Sequence, residues 1–116
     1  MADITVYEKR TCTKCRELAK LLAERGIDFD RVDFHVEGLP EPKLRDLLRK
    51  AGASPADVLR RGEPIAAELG LDRELPPDDE LIALMAEHSQ LVQRPIVEHG
   101  DRAVLARPPE RVLEIL

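Results

Sequence analysis

Two cysteines, Cys12 and Cys15, lie where a predicted strand gives way to a predicted helix. They are the residues in this chain best suited to chemistry, and they share a Cys-x-x-Cys spacing. A thiol at the start of a helix feels the partial positive charge of the helix N-terminus, which favours thiolate over thiol. The thiolate is the nucleophilic and redox-active form of cysteine. The pattern therefore predicts thiol chemistry centred on Cys12.

Zinc binding is one alternative for such a cysteine pair. A zinc site usually has four ligands, but the sequence has no second Cys-x-x-Cys, and its three histidines are scattered without ligand spacing (His35, His88 and His99). We therefore predict no metal site. Cys15 lies one turn inside the predicted helix, so it is either a resolving thiol for an oxidised Cys12 or a small residue that packs beneath the helix.

The composition is typical of a globular protein, and we predict a single domain over residues 1–116. Hydrophobic residues make up 43% of the chain and charged residues 35%, with a net charge of −5. An acidic balance argues against general nucleic-acid binding, which needs a basic surface. No apolar run approaches the roughly 20 residues that span a bilayer, and the N-terminus lacks a secretory signal pattern. We therefore expect a cytoplasmic protein that binds neither nucleic acid nor membranes.

Hydrophobic periodicity predicts the elements that position the cysteines. A short strand over 3–7 precedes a polar loop at 8–11, and a helical pattern over 13–25 ends at Gly26. Apolar residues alternate along 27–34, which predicts a second strand. Strand, helix and strand over this length predict a βαβ unit with two parallel strands.

The remainder of the chain is predicted to be a helical insertion followed by a second strand-rich part. The insertion covers about 40–88 and consists of short capped helices, and its charged residues at 42–50 are interpreted as a solvated face. Strands over 94–97 and 102–106 predict an antiparallel hairpin. A final helix follows, with four apolar residues for packing: Val112, Leu113, Ile115 and Leu116. This order predicts an α/β, thioredoxin-like (glutaredoxin-like) fold with a four-stranded mixed sheet.

A set of motifs along nearly the whole chain resembles the glutaredoxin-dependent arsenate reductase family and its Spx-like relatives. The motifs are Cys12, Leu-Arg-Arg-Gly-Glu-Pro at 59–64, Glu-Leu-Gly-Leu at 68–71, Glu-His at 87–88, Arg-Pro-Ile-Val at 94–97 and Arg-Pro-Pro-Glu at 107–110. The last two motifs together with Cys12 are the most specific part of the resemblance. It implies a thioredoxin-like fold with a helical insertion, no metal or bound organic cofactor, and electrons supplied by glutathione or glutaredoxin.

The resemblance also implies a role for particular residues. Cys12 corresponds to the family nucleophile that attacks arsenate, and three arginines correspond to those that surround the oxyanion: Arg60, Arg94 and Arg107. A guanidinium group can donate two parallel hydrogen bonds to an oxyanion and keep its charge. Pro95 corresponds to the proline that is cis in this fold and faces the active cysteine. From the residues alone, these arginines could equally be ordinary surface residues.

Two positions depart from the family pattern and leave other functions open. Glu8 stands where the reductases usually have a loop histidine, and a carboxylate there would raise the pKa of Cys12 if it pointed inward. Cys15 stands where arsenate-specific members usually have another residue such as serine. The chain could therefore be a glutaredoxin-like thiol–disulfide oxidoreductase that cycles Cys12 and Cys15. It could also be an Spx-like redox regulator that binds RNA polymerase, although the retained motif at 107–110 speaks against this.

Overall fold

In a computed structural model, which describes residues 2–116, the chain forms a four-stranded mixed sheet with the strand order β2-β1-β3-β4. The strands are β1 (Ile4–Glu8), β2 (Asp30–Asp33), β3 (Ile96–His99) and β4 (Arg102–Leu105). Strand β1 pairs in parallel with β2 and antiparallel with β3, and β3 pairs antiparallel with β4. The predicted thioredoxin-like order of a βαβ half and a ββα half is confirmed.

Helices connect and cover these strands. The α-helices are α1 (Thr13–Glu24), α2 (Phe34–Glu37), α3 (Glu41–Ala51), α4 (Pro64–Glu68) and α5 (Asp78–Glu87). Three shorter segments are 3₁₀ helices: Pro55–Val58, Ser89–Leu91 and Pro109–Ile115. The predicted insertion therefore corresponds to α3, α4, α5 and the first of the 3₁₀ helices. Along residues 2–116, no helix has the length and apolar character needed to cross a membrane.

The sheet is covered on both faces, and alternation along β1 decides which side chain serves which face. Ile4 and Val6 belong to the apolar cluster under α1 and Pro109–Ile115, together with Leu18, Leu22, Val97 and Val112. Tyr7 belongs to the larger cluster on the opposite face, to which the insertion contributes Leu44, Leu47 and Met85, while Phe34 comes from α2 and Leu91 from the 3₁₀ helix at Ser89–Leu91. Strand β1 is thus buried on both sides, and the loop that follows it carries Cys12.

Strand β2 is shorter than the predicted strand at 27–34. The side chain of Asp33 accepts a hydrogen bond from the backbone N–H of His35 at 3.1 Å, so the chain turns into α2 at Phe34. Ile27 and Phe29 pack against the cluster under α1 before β2 begins. The consequence for the site is that His35 lies directly after the carboxyl end of β2.

The C-terminal segment is a 3₁₀ helix and not the predicted α-helix. Pro109, Val112 and Ile115 are its buried residues. They recur at every third position, which is the period of a 3₁₀ helix, so this winding places all three on the face toward the sheet. Leu113 and Leu116 were expected to pack and are instead 42% and 41% exposed.

The prediction that the charged residues at 42–50 form a solvated face is wrong for two lysines. Lys43 Nζ donates to both carboxylate oxygens of Glu98 at 2.9 Å, and Lys50 Nζ donates to Glu98 Oε2. The hydroxyl of Tyr7 donates to Glu98 Oε1 at 3.0 Å. Long lysine side chains can lie along a helix surface and carry their ammonium groups to a distant partner. Here they tie α3 to the sheet through Glu98.

Glu98→Gln is expected to lower the free energy of unfolding by about 1 kcal/mol near neutral pH. Burial raises the pKa of Glu98, but hydrogen bonds from Lys50, Lys43 and Tyr7 outweigh burial and leave the pKa below its ordinary value of 4.5. A carboxyl group with a lowered pKa stabilises the fold above its unfolded pKa, and this contribution is lost as the pH falls through the folded value. Denaturant unfolding of the native protein and of Glu98→Gln should therefore show a difference in the free energy of unfolding that shrinks below about pH 4.5.

The matched control is Glu114→Gln, because Glu114 forms an exposed ion pair with Arg111. Its effect should be within about 0.5 kcal/mol at every pH. A difference between native protein and Glu98→Gln that stayed constant with pH would mean that packing, and not the charge of Glu98, accounts for the loss.

Candidate active site

Cys12 occupies the position immediately before the first residue of α1, in extended backbone conformation. Its own N–H donates to the carbonyl of Lys9 at 2.9 Å, and its carbonyl accepts from the N–H of Arg16 at 3.1 Å. These two bonds close the loop after β1 and begin the helix. The free N–H groups of the first helical turn are therefore directed at the Cys12 thiol, as the sequence pattern predicted.

The surroundings of Cys12 favour its thiolate. Partial burial raises the pKa of Cys12, but hydrogen bonds from the side chain and backbone N–H of Cys15, from Arg94 and from the backbone N–H of Lys14 outweigh burial and lower the pKa overall. Cys12 is half-buried, whereas Cys15 is buried. Cys12 is thus the more nucleophilic of the two thiols.

Cys15 is a buried residue in the first turn of α1. It lies 3.2 Å from Cys12, and the two cysteines do not form a disulfide. Burial raises the pKa of Cys15 to about 12, and the charges of Cys12 and Glu8 act in the same direction. At neutral pH Cys15 therefore stays protonated and can donate its S–H to the Cys12 thiolate. The two readings of Cys15, a packed residue and a neighbour able to react with Cys12, are both compatible with this position.

Arg94 precedes β3, and the Arg94–Pro95 peptide bond is cis. Arg94 is 8% exposed, and it lies close enough to Cys12 to lower the pKa of that thiol. Among residues 2–116 its Nε has no hydrogen-bond partner. Arg107 NH1 donates to the backbone carbonyl of Arg94 at 2.8 Å, so the two arginines share one corner of the site. A buried N–H without an acceptor beside a reactive thiol is a place where an oxyanion could bind.

Arg60 reaches the same corner because two distant segments are joined by a small ladder. Leu59 and Val92 form an isolated antiparallel bridge, and the N–H of Arg60 donates to the carbonyl of Leu91 at 2.7 Å. Burial lowers the pKa of Arg60, and the charges of Arg94 and Arg107 lower it further, while Glu63 and Cys12 oppose them. Arg60 therefore lies close enough to Arg94 and Arg107 for their charges to lower its pKa, and together the three arginines make the site strongly positive.

Glu63 moderates this positive charge. Its carboxylate contacts Arg60 NH1 at 2.6 Å. Beside the pair lies an open pocket lined by polar residues that include Arg61, Gln93 and Arg107. Two of the three site arginines, Arg60 and Arg107, therefore line this pocket.

Glu8, which the sequence placed in a polar loop, is the last residue of β1 and is 1% exposed. Arg31 Nε and NH2 donate to its two carboxylate oxygens at 2.7 and 2.9 Å. Arg31 lies opposite Val6 in the parallel register, and Glu8 lies two residues after Val6. The side chains of Glu8 and Arg31 are therefore both on the α1 face of the sheet. The carboxylate of Glu8 is therefore paired with Arg31, and its negative charge helps to raise the pKa of Cys15.

His35, to which no sequence pattern assigns a role, lies beside Arg94 in the structure. Its Nε2 lies 3.4 Å from Arg94 NH1. Burial lowers the pKa of His35, and the positive charges of Arg94, Lys9 and Arg60 lower it further, against the opposing charge of Asp33. The sequence could have pointed to His35 by its position after β2, because the carboxyl ends of the parallel strands β1 and β2 meet at one edge of the sheet.

No group of three or more His, Cys, Asp or Glu side chains within residues 2–116 is arranged to hold a metal ion. What the described residues bring together is a thiol at a helix start and three guanidinium groups. On a thioredoxin-like sheet, a thiol in this position is typical of a thiol redox protein.

Comparison with known proteins gives the family. The model of the ArsC family matches residues 7–115. The chain is 33% identical to a protein of Haemophilus influenzae named arsenate reductase, over 98% of this chain and 99% of that one. It is 34% identical to YfgD of Escherichia coli K12, described as uncharacterized, over 98% and 97%. The solved structure of an arsenate reductase from Vibrio cholerae superposes with a TM-score of 0.91 at 35% identity and covers 97% of both chains. This chain belongs to the ArsC family, and the comparisons do not favour the Spx-like alternative.

Proposed function

We propose that this protein is a thiol-dependent oxidoreductase that reduces arsenate, with Cys12 as the nucleophile and Arg60, Arg94 and Arg107 as the oxyanion-binding residues. The observation that carries the proposal is the buried Arg94 guanidinium, which faces the Cys12 sulfur and keeps one N–H without an acceptor. A site built only for thiol–disulfide exchange has no need of three converging arginines. Membership of the ArsC family supports the same conclusion.

The proposed reaction begins when the Cys12 thiolate attacks the arsenic of hydrogen arsenate. A sulfur–arsenic bond forms, an arsenic–oxygen bond breaks, and the departing oxygen takes up a proton and leaves as water, while arsenic remains As(V). The three arginines balance the negative charge of the oxyanion during this step. An external thiol then attacks the Cys12 sulfur, the sulfur–arsenic bond breaks, and its electron pair stays on arsenic, so As(V) is reduced to As(III) and leaves as arsenite while Cys12 and the thiol become a mixed disulfide. A second external thiol displaces the Cys12 thiolate from this mixed disulfide, and the two external thiols leave as a disulfide.

We propose glutathione, assisted by glutaredoxin, as the source of the external thiol. Cys15 is protonated at neutral pH because its pKa is raised to about 12, and a protonated thiol is a poor nucleophile. A solution thiol is therefore better suited to attack at Cys12, which is only half buried. Such chemistry requires a compartment that keeps thiols reduced, which agrees with the cytoplasmic location expected from the sequence.

A second candidate function is thiol–disulfide exchange on a protein or glutathione mixed disulfide. The observation in its favour is the 3.2 Å approach of Cys12 and Cys15, which would allow a disulfide between them after a small movement. In that reaction Cys12 would attack the substrate disulfide and Cys15 would then displace the product.

The native protein is expected to oxidise NADPH in an arsenate-dependent manner when coupled to glutathione, glutaredoxin and glutathione reductase. A parallel assay with thioredoxin and thioredoxin reductase compares the two donors, and we expect the glutathione system to be faster by about tenfold or more. Samples without arsenate give the background. Absence of arsenate-dependent oxidation with both donors, combined with rapid reduction of a glutathione mixed disulfide, would replace the arsenate assignment by the second candidate.

A further inference from the structure

Arg94 needs a partner that fixes its side chain without cancelling its charge. The guanidinium is 8% exposed, and along residues 2–116 no carboxylate lies within 4.0 Å of it. Its NH1 contacts the imidazole of His35, and the guanidinium lies close enough to Cys12 to lower the pKa of that thiol. A carboxylate at the same place would hold the guanidinium but would weaken its attraction for a thiolate or an oxyanion.

His35 is held in place from several sides. Its backbone N–H donates to Asp33 Oδ1 at 3.1 Å, and its ring lies against Phe34, with 5.0 Å between the ring centroids. An arginine can only donate hydrogen bonds, so the 3.4 Å contact from Arg94 NH1 requires Nε2 of His35 to accept. The proton of the uncharged ring is then on Nδ1.

We propose that His35 is a positioning residue, whose uncharged imidazole accepts from Arg94 and holds the guanidinium toward the Cys12 sulfur and the incoming oxyanion. For the oxyanion the inference rests on the proposed function, but for the thiolate it does not. The charges that face the ring favour its uncharged state: burial together with Arg94, Lys9 and Arg60 lowers the pKa of His35, and Asp33 alone opposes them.

Two substitutions of His35 distinguish the role of the Nε2 acceptor from that of the rest of the side chain. In His35→Gln the amide oxygen can take the place of Nε2, whereas in His35→Asn the shorter amide can replace only Nδ1 and cannot reach Arg94. The readout is the pH dependence of Cys12 alkylation by iodoacetamide, with mass spectrometry to confirm that Cys15 remains unlabelled. We expect His35→Asn to move the alkylation midpoint up by about 0.5–1 pH unit and His35→Gln to leave it near the native value.

A double variant tests whether His35 acts through Arg94. In an Arg94→Met background, His35→Asn should shift the midpoint no further. Protection of Cys12 from alkylation by arsenate supplies a second readout, and we expect the protecting concentration to rise about five- to tenfold in His35→Asn. If arsenate fails to protect even the native protein, the proposed substrate is wrong, while the alkylation midpoints still test the role of His35.

Three results would overturn the inference: a native midpoint in His35→Asn, an equal shift in His35→Gln, or a further shift in the Arg94→Met background. NMR of the native protein tests it without any substitution that could unfold the chain. Nitrogen shifts should show His35 uncharged at neutral pH with its proton on Nδ1. A charged ring, or a proton on Nε2, would also overturn it.

Discussion

Arsenate turnover is expected to fall by at least about 1,000-fold in Cys12→Ser, because the nucleophile itself is lost. The helix start and Arg94 lower the pKa of the Cys12 thiol, but the same interactions cannot ionise a serine hydroxyl at neutral pH. The measurement is arsenate-dependent NADPH oxidation in the glutathione-coupled assay. Mass spectrometry of the native protein after brief exposure to arsenate should also show an adduct at Cys12 that the variant lacks.

Cys15→Ser is the matched variant, one helical turn away. We expect it to lose about tenfold or less, because a serine hydroxyl can still donate to the Cys12 thiolate and the external thiol completes the reaction. A loss in Cys15→Ser as large as that in Cys12→Ser would show that Cys15 resolves the intermediate. Full activity in Cys12→Ser would remove Cys12 as the nucleophile altogether.

Arg31→Met is expected to lower the free energy of unfolding by about 2–3 kcal/mol, the largest effect on stability that we predict. The carboxylate of Glu8 is 1% exposed in the native protein, and removal of Arg31 takes away both of its charged hydrogen bonds. The full cost of an unpaired buried charge, about 3–5 kcal/mol, is reduced here because the Arg31 side chain is 45% exposed and water can follow its removal. Urea unfolding at neutral pH measures the difference.

A double-mutant cycle assigns this loss to the ion pair. Glu8→Met combined with Arg31→Met removes both charges, and the double variant should recover to within about 1 kcal/mol of the native protein. Arg102→Met is the matched control, because Arg102 is an exposed arginine on β4, the opposite edge strand. It should change stability by less than about 0.5 kcal/mol. A double variant as unstable as Arg31→Met would show that the side-chain stem of Arg31, and not its charge, stabilises the fold.

Much of the fold could be predicted from the sequence because periodicity along the chain reports which side chains are buried. The order of the strands and of the longer helices followed from it, although α2 was not predicted, and so did the placement of Cys12 at the start of α1. The errors occurred where a single tertiary or capping contact overrode the pattern. Asp33 ends β2 early by capping α2, and Glu98 draws Lys43 and Lys50 out of a face that helical periodicity marked as solvated.

In the candidate site, too, local features could be predicted from the sequence and tertiary contacts could not. The sequence by itself determined the local backbone around Cys12, since a strand, a short loop and a helix start are consecutive in the chain and their hydrogen bonds are local. The motif at 94–97 and the three arginines could be identified from the sequence by the family resemblance. The sequence could not predict that the arginines lie close together in the folded chain. Arg60 and Arg94 are brought together by the bridge between Leu59 and Val92, residues far apart in the chain.

Only the tertiary structure decided the surroundings of the two thiols. It placed Glu8 and Arg31 together under Cys15, and it placed His35 against Arg94. The physical reason is that these contacts depend on strand register and on which face of the sheet each side chain takes. Both follow from packing of the whole chain, because the hydrophobic pattern of any one segment fixes that segment's buried face and not its partners across the sheet.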